Sequence, residues 1–294
     1  MDYMKRVLIL GFVILFSTSF SLRRIDYRHA MFKNVCKDLK HDVLLYYIFI
    51  DNKSTSPWTE YDIQSTVDSV KVAIKWLQEQ ARLNNVPLKI KSDYFIGTDY
   101  ATISKNLPQG SVLKSVTEPN IKTGLFNINS WADGIAKRVG VTLNIPEKDG
   151  IRDIKTPRNK ERLIAYLRDT YQVESVALIF MVNNYFKTDI SIQINTFNTE
   201  DVEFAVVSYK YPSEIAHNFL HLYGAADMYQ TPFRRNEKRI KQLQEFFPNE
   251  VMMDPYAKNI SQLEISDYTK YLIGWKNDYN QTYENLFTDK AYNF

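Results

Sequence analysis

Cysteine is almost absent: Cys36 stands alone among 294 residues. No internal disulfide can therefore staple the fold. Its setting, Lys33-Asn-Val-Cys-Lys-Asp38, lacks the small residues of a lipoprotein cleavage site, which leaves an inert or buried thiol. A surplus of one charge is missing as well. The 37 Lys and Arg against 34 Asp and Glu leave a net +3 with no concentrated basic block, so nothing marks a nucleic-acid surface. No internal repeat or low-complexity segment appears. Nor does the amino-terminal apolar run, Val7 to Phe16, approach the ~20 residues needed to span a bilayer. With Lys5 and Arg6 before it and Ser17-Thr-Ser-Phe-Ser21 after it, that run reads as a secretory signal over residues 1–21, cleaved after Ser21. Export to a secreted or periplasmic location is expected; the alternative is an uncleaved segment that anchors the chain in a membrane.

Abundant instead are apolar and aromatic side chains, 45% and 14% of the chain, ample for a packed core in one or two domains. After a lead-in over residues 22–40, Asp42 to Ile50 is a nearly continuous apolar run rich in β-formers, which predicts a strand covered on both faces. A long helix follows to about Asn84, with Ile63, Val67, Val70, Ile74, Leu77 and Ala81 four and three apart along one face. Pro87 to Phe95 alternates and completes a strand-helix-strand unit. Gly97 to Asn129 carries Pro108-Gln-Gly110 and Pro119-Asn120, and reads as loop with one or two irregular strands. Helices are expected over Ser130–Val139 and Asn159–Tyr171, joined by a charged connection from Pro146 to Pro157. Val176 to Val182 predicts a central strand, Ile192 to Ile194 an edge strand, and Phe204 to Tyr209 the last strand. Arg234 to Phe247 has Ile240, Leu243 and Phe247 at helical spacing and reads as a solvated helix with one packed side.

Chemistry concentrates in Tyr211-Pro-Ser-Glu-Ile-Ala-His-Asn-Phe-Leu-His-Leu-Tyr-Gly-Ala-Ala-Asp227. His217 and His221, four apart on a helix, project from one face and can share a small cation. Gly224 can take the left-handed conformation that ends the helix, and the chain can then return the Asp227 carboxylate to a third coordination position. A fourth position is left for water. A bare histidine pair of this spacing also suits a satisfied polar pair at a core edge; the added glycine and aspartate point to a metal. Glu214, one turn before His217, reads as a helix-start residue or a support to the ligands.

This pattern resembles the metzincin branch of the zinc peptidases, H-E-x-x-H-x-x-G-x-x-H followed by a methionine turn, some members having Asp as third ligand. Here it runs His217-Asn218-x-x-His221-x-x-Gly224-x-x-Asp227, and Phe247-Pro-Asn-Glu-Val-Met-Met-Asp254 is similar to the methionine turn, with Met252 the better match. The resemblance implies zinc held by His217, His221 and Asp227, with Gly224 and Met252 as structural support. It also implies a mixed, mostly parallel twisted α/β (α+β) sheet with covering helices. On this reading residues 41–224 form the larger subdomain, ending in the metal helix, and 225–294 a small carboxy-terminal one. In that fold the edge strand pairs with an extended peptide, which makes Ser191, Ile192, Gln193, Ile194 and Asn195 the candidate docking segment for a peptide or protein. Tyr256 is a further candidate near the metal.

The departure is Asn218, where the family has its glutamate. That carboxylate takes a proton from the attacking water and hands it to the leaving amine. An amide oxygen is too weak a base for this, although it can accept a hydrogen bond. The expectation is a metal-binding homologue that is catalytically impaired or inactive and holds peptide across its cleft. The alternative is an active zinc endopeptidase using another base or a metal-bound hydroxide.

Overall fold

The apolar run after the lead-in forms β1, His41–Asp51, buried from Val43 to Ile50. A strand that is apolar at every position can only be satisfied between two layers. Accordingly Val43, Leu45, Tyr47 and Phe49 belong to one core and Leu44, Tyr46, Ile48 and Ile50 to the other. The structure is a computed structural model that describes residues 38–97, 101–145, 157–184, 191–194, 202–208, 210–229 and 236–280. The signal segment, Cys36, Tyr209, Asn195 and nearly all of the Pro146–Pro157 connection lie outside the described residues.

Helix α1, Glu60–Leu83, starts where Thr59 accepts from the Asp62 amide, with Glu60 and Asp62 in its positive first turn. Its apolar stripe from Ile63 to Ala81 is buried. Strand β2, Leu88–Phe95, then pairs parallel with β1, and the two-residue β3, Ile103–Ser104, pairs with the far end of β1.

The segment expected to be loop with one or two irregular strands has its short strand in β3 but is helical in part. Helix α2, Val112–Thr117, and α3, Ile121–Thr142, lie within or begin in it. The reason is capping chemistry. Ser111 accepts from the Lys114 amide and Asn120 from the Thr123 amide, so residues that punctuate a loop are here the starts of two helices. Gly124 meets the Val116 carbonyl so closely that a Cβ would sit 2.0 Å from it, and only glycine lets α2 and α3 pack there.

Helix α4, Asn159–Tyr171, leads into β4, Ser175–Val182, buried at every position. Strand β4 is parallel to β1, and β6, Phe204–Val207, is parallel to β4. The short β5, Ile192–Ile194, is antiparallel to β6. The sheet runs β2-β1-β4-β6-β5 with β3 beside β1, a mixed, mostly parallel sheet between helices. Side chains of α3 and α4 fill one face. The other face is covered by α1 and by α5, Pro212–Leu222. Helix α6, Glu237–Phe246, and α7, Asp267–Leu272, follow, and Leu243, Val251, Met252 and Ile273 pack into the α1 and α5 core.

The end of the lead-in belongs to this packing. Leu39 is fully buried, its amide donates to the Ile273 carbonyl at 3.0 Å, and its carbonyl accepts from the Trp275 indole at 2.7 Å. Among the described residues no helix is long and apolar enough to cross a membrane.

Candidate metal centre

Helix α5 starts just past the carboxyl end of β6. Pro212 occupies its first turn, where a missing N–H costs nothing. Lys210, just before it, pairs with Asp62 of α1, which also accepts from Thr59 and from Asn183 at the end of β4. Burial would raise the Asp62 carboxyl, but these donors together hold it low. The start of α5 is thus tied to α1 and to the sheet.

The helix stops at Tyr223, and Gly224 follows with φ +96°. Its amide bonds to the His221 carbonyl and the Ala225 amide to that of Leu220. The turn brings Asp227 back against the histidine face. Asp227 Oδ1 lies 2.9 Å from His221 Nε2 and 3.3 Å from His217 Nε2, and the two Nε2 atoms are 3.0 Å apart. The three candidate ligand atoms all lie within 4.8 Å of one another.

The outer nitrogens decide what this cluster is. His217 Nδ1 lies 3.0 Å from the Val251 carbonyl and His221 Nδ1 2.8 Å from the Ala225 carbonyl. A carbonyl can only accept, so both Nδ1 atoms carry the proton, and in the neutral rings both Nε2 lone pairs face inward. Two nitrogens and a carboxylate oxygen therefore converge as acceptors. Only an added proton or a cation reconciles them, and a group of this kind can hold a metal ion. Burial pushes the His217 imidazole down, with His221 adding to the effect. Burial acts the same way on His221, but Asp227 outweighs it and raises that ring. Burial would raise Asp227, yet the two imidazoles hold it far below the usual carboxylate range.

Met252 is fully buried, and its carbonyl accepts from the Met228 amide at 2.9 Å, next to Asp227. The segment thus supports the cluster through its backbone, Val251 holding the His217 ring and Met252 the chain beside Asp227. What holds the segment itself is Glu250, fully buried. Its carboxylate accepts from the Ser266 amide at the start of α7, from Thr269 Oγ1 at 3.0 Å and from the Met252 amide at 3.4 Å. In sequence it is one acidic residue beside an asparagine, with nothing to mark it as interior. Tyr229 was equally unmarked: its ring lies 6.0 Å from that of His217, and its hydroxyl bonds to Asp227.

Glu250→Ala would strand two amides and a hydroxyl in the interior, and a loss of roughly 3–5 kcal/mol is expected from denaturant unfolding of the metal-free protein. The deficit should depend on pH. Burial, against the opposing hydrogen bonds, pushes the Glu250 carboxyl up to about 7, whereas the unfolded group titrates near ~4.3. The folded state holds an extra proton between these values, so the contribution of Glu250 is full below the lower one and fades as pH rises through the upper one. The gap between the two proteins should be widest at or below about pH 4 and narrower at pH 8.

Asn218 is fully buried, and its Nδ2 donates back to the Glu214 carbonyl at 2.9 Å. Its Oδ1 has no hydrogen-bond partner among the described residues. Tyr256 is half exposed and stacks edge-to-face on Tyr211 with ring centroids 5.6 Å apart. Ile192, Gln193 and Ile194 form the edge of the sheet as β5, with Ser191 just before it and α5 packed against it. Gln193 donates to Glu203 at 3.2 Å, and Ser191 Oγ accepts from the Ser208 amide at 3.3 Å. No protein-family model matches the chain, and no curated protein matches it in sequence.

Proposed function

We propose that the protein is an exported, zinc-binding metallopeptidase homologue of metzincin type, catalytically impaired or inactive, that holds a peptide or protein segment across its metal cleft. The observation that carries this reading is the convergence of His217 Nε2, His221 Nε2 and Asp227 Oδ1 with both Nδ1 protons committed to carbonyls. Two imidazoles and a carboxylate form a borderline donor set that suits zinc and leaves a fourth position open. Further support comes from the Gly224 turn, the buried Met252 backbone and an antiparallel edge strand next to the strand that leads into the metal helix.

Zinc in this site would act as a Lewis acid on water or a peptide carbonyl. The chain's own groups set how far such chemistry could go. Val251 and Ala225 fix the ring orientations, and Tyr229 holds Asp227. Asn218 offers Oδ1 as an acceptor but cannot carry a proton at neutral pH. The alternative, an active zinc endopeptidase with another base or a metal-bound hydroxide, draws support from a donor set that is complete in type and spacing.

A short peptide hydroxamate tests the reading, because its hydroxamate ligates metal while its backbone seeks the cleft. Zinc-loaded protein should bind it, whereas metal-free protein should not. Zinc binding without any hydroxamate binding would overturn the cleft.

A further inference from the structure

Glu214 occupies the third position of α5, where a glutamate commonly turns back onto the N-cap amide. It does not do so: no side chain caps this helix. Glu214 is buried to 94%, the remainder of its 6% exposure, yet among the described residues nothing donates a hydrogen bond or forms an ion pair to its carboxylate. Only its backbone carbonyl is used, by Asn218. Glu214 shares a face of α5 with His217 and His221, three and seven residues on, and the groups whose charges it feels are Asp254, Asp227 and His221. It is not one of the three residues whose ligand atoms lie within 4.8 Å of one another. Its carboxylate therefore stands beside the ligands, one helical turn along the cleft from Asn218.

The opposite wall is close. Ser213 Oγ donates to the Pro255 carbonyl at 2.6 Å and so holds segment 254–256 against the first turn of α5. That segment contributes Asp254, whose only ion pair among the described residues is a local one with Lys258 at 3.5 Å, worth little at the surface. It also contributes Tyr256, stacked on Tyr211. A largely buried glutamate whose carboxylate no described residue pairs, a second carboxylate and two half-exposed tyrosines thus gather at the first turn of α5, on the helix that carries the candidate ligands. A buried charge without a partner is costly, and aromatic faces with carboxylates are the surroundings that favour an organic cation.

We infer that Glu214, with Asp254 and the Tyr211–Tyr256 pair, forms a subsite for a cationic group of the bound segment, a lysine or arginine side chain lying next to the metal. The inference rests on the metal-cleft reading above. Burial, with Asp254 and Asp227 adding to it, pushes the Glu214 carboxyl up to about 7, and a cation seated beside it offsets each of these effects.

The test uses the full zinc-loaded chain and three peptide hydroxamates that differ only in the residue next to the hydroxamate: lysine, norleucine or glutamate. Norleucine keeps the aliphatic stem of lysine and drops the charge, so the comparison isolates the ammonium. Lysine should bind about tenfold tighter than norleucine, glutamate should bind weakest, and high salt should shrink the difference. Glu214→Gln should still bind one zinc and the norleucine peptide but lose most of the lysine preference. Equal binding of lysine and norleucine by the unmodified protein would overturn the inference alone. A lysine preference that persists in Glu214→Gln would overturn the assignment to Glu214. Failure of all three hydroxamates to bind would overturn the metal-cleft reading and the subsite with it.

Discussion

Asp227→Asn should abolish tight zinc binding while leaving the metal-free protein nearly as stable as before. The two halves of this result come from the same geometry. Asp227 Oδ1 reaches both Nε2 atoms, at 2.9 and 3.3 Å, and a neutral amide is a poor ligand compared with a carboxylate. Losing one of three protein ligands should lower affinity by about a thousandfold or more. The amide nitrogen, however, is a donor, and it would face the two inward lone pairs that have no donor between them. Metal-free stability should therefore stay within about 1 kcal/mol of the original. A ligand at a thousand times its dissociation constant stabilises the folded state by about 4 kcal/mol, which for a chain of this size raises the melting temperature by roughly 8–16 °C. Zinc should produce that rise in the unmodified protein and none in the variant. An equal rise in both would place the metal elsewhere. A metal-free variant that unfolds several kcal/mol more easily would show Asp227 to be a structural partner of His221 rather than a ligand.

The spacing behind this result is legible in the sequence alone. Helical geometry alone puts His217 and His221 on one face, and Gly224 announces the turn that returns Asp227. The sheet was legible for a similar reason: an unbroken apolar run such as Val43 to Ile50 has few ways to be buried, and the stripe from Ile63 to Ala81 has one face to hide. Legibility failed where a residue type serves two purposes. Ser111 and Asn120 open helices with the same side chains that open turns, and nothing nearby in the chain tells which. It failed again for Glu250 and Glu214, because a lone glutamate normally belongs to the surface. Glu250 is held by Ser266 and Thr269, and the first turn of α5 that carries Glu214 is held against Pro255 by Ser213, contacts that exist only after the chain has folded back on itself. The oxygens of Val251 and Ala225, which fix the imidazole tautomers, were unreadable for a simpler reason: every residue has a carbonyl.

Asn218→Glu carries the second large effect, a gain. In the zinc-loaded variant, cleavage of generic protein or peptide-library substrates should rise by about 10²- to 10⁴-fold over the unmodified protein, the usual worth of a positioned general base. Asn218 is fully buried and spends its Nδ2 on the Glu214 carbonyl, so the longer glutamate must give up that back-bond. Its carboxylate gains by turning toward the cation instead, because a buried charge is tolerated only when paired. A cost of about 1–3 kcal/mol in metal-free stability is expected, and zinc should recover part of it. Cleavage by the unmodified protein, abolished by His217→Ala, would sink the impaired-homologue reading, since some other group would then be moving the proton. Silence from both proteins, with hydroxamate binding retained, would mean that the cleft has diverged in more than its base. The amide is an informative replacement in either case. It keeps an acceptor at position 218, with Oδ1 free of any partner among the described residues, and removes only the ability to take the proton away.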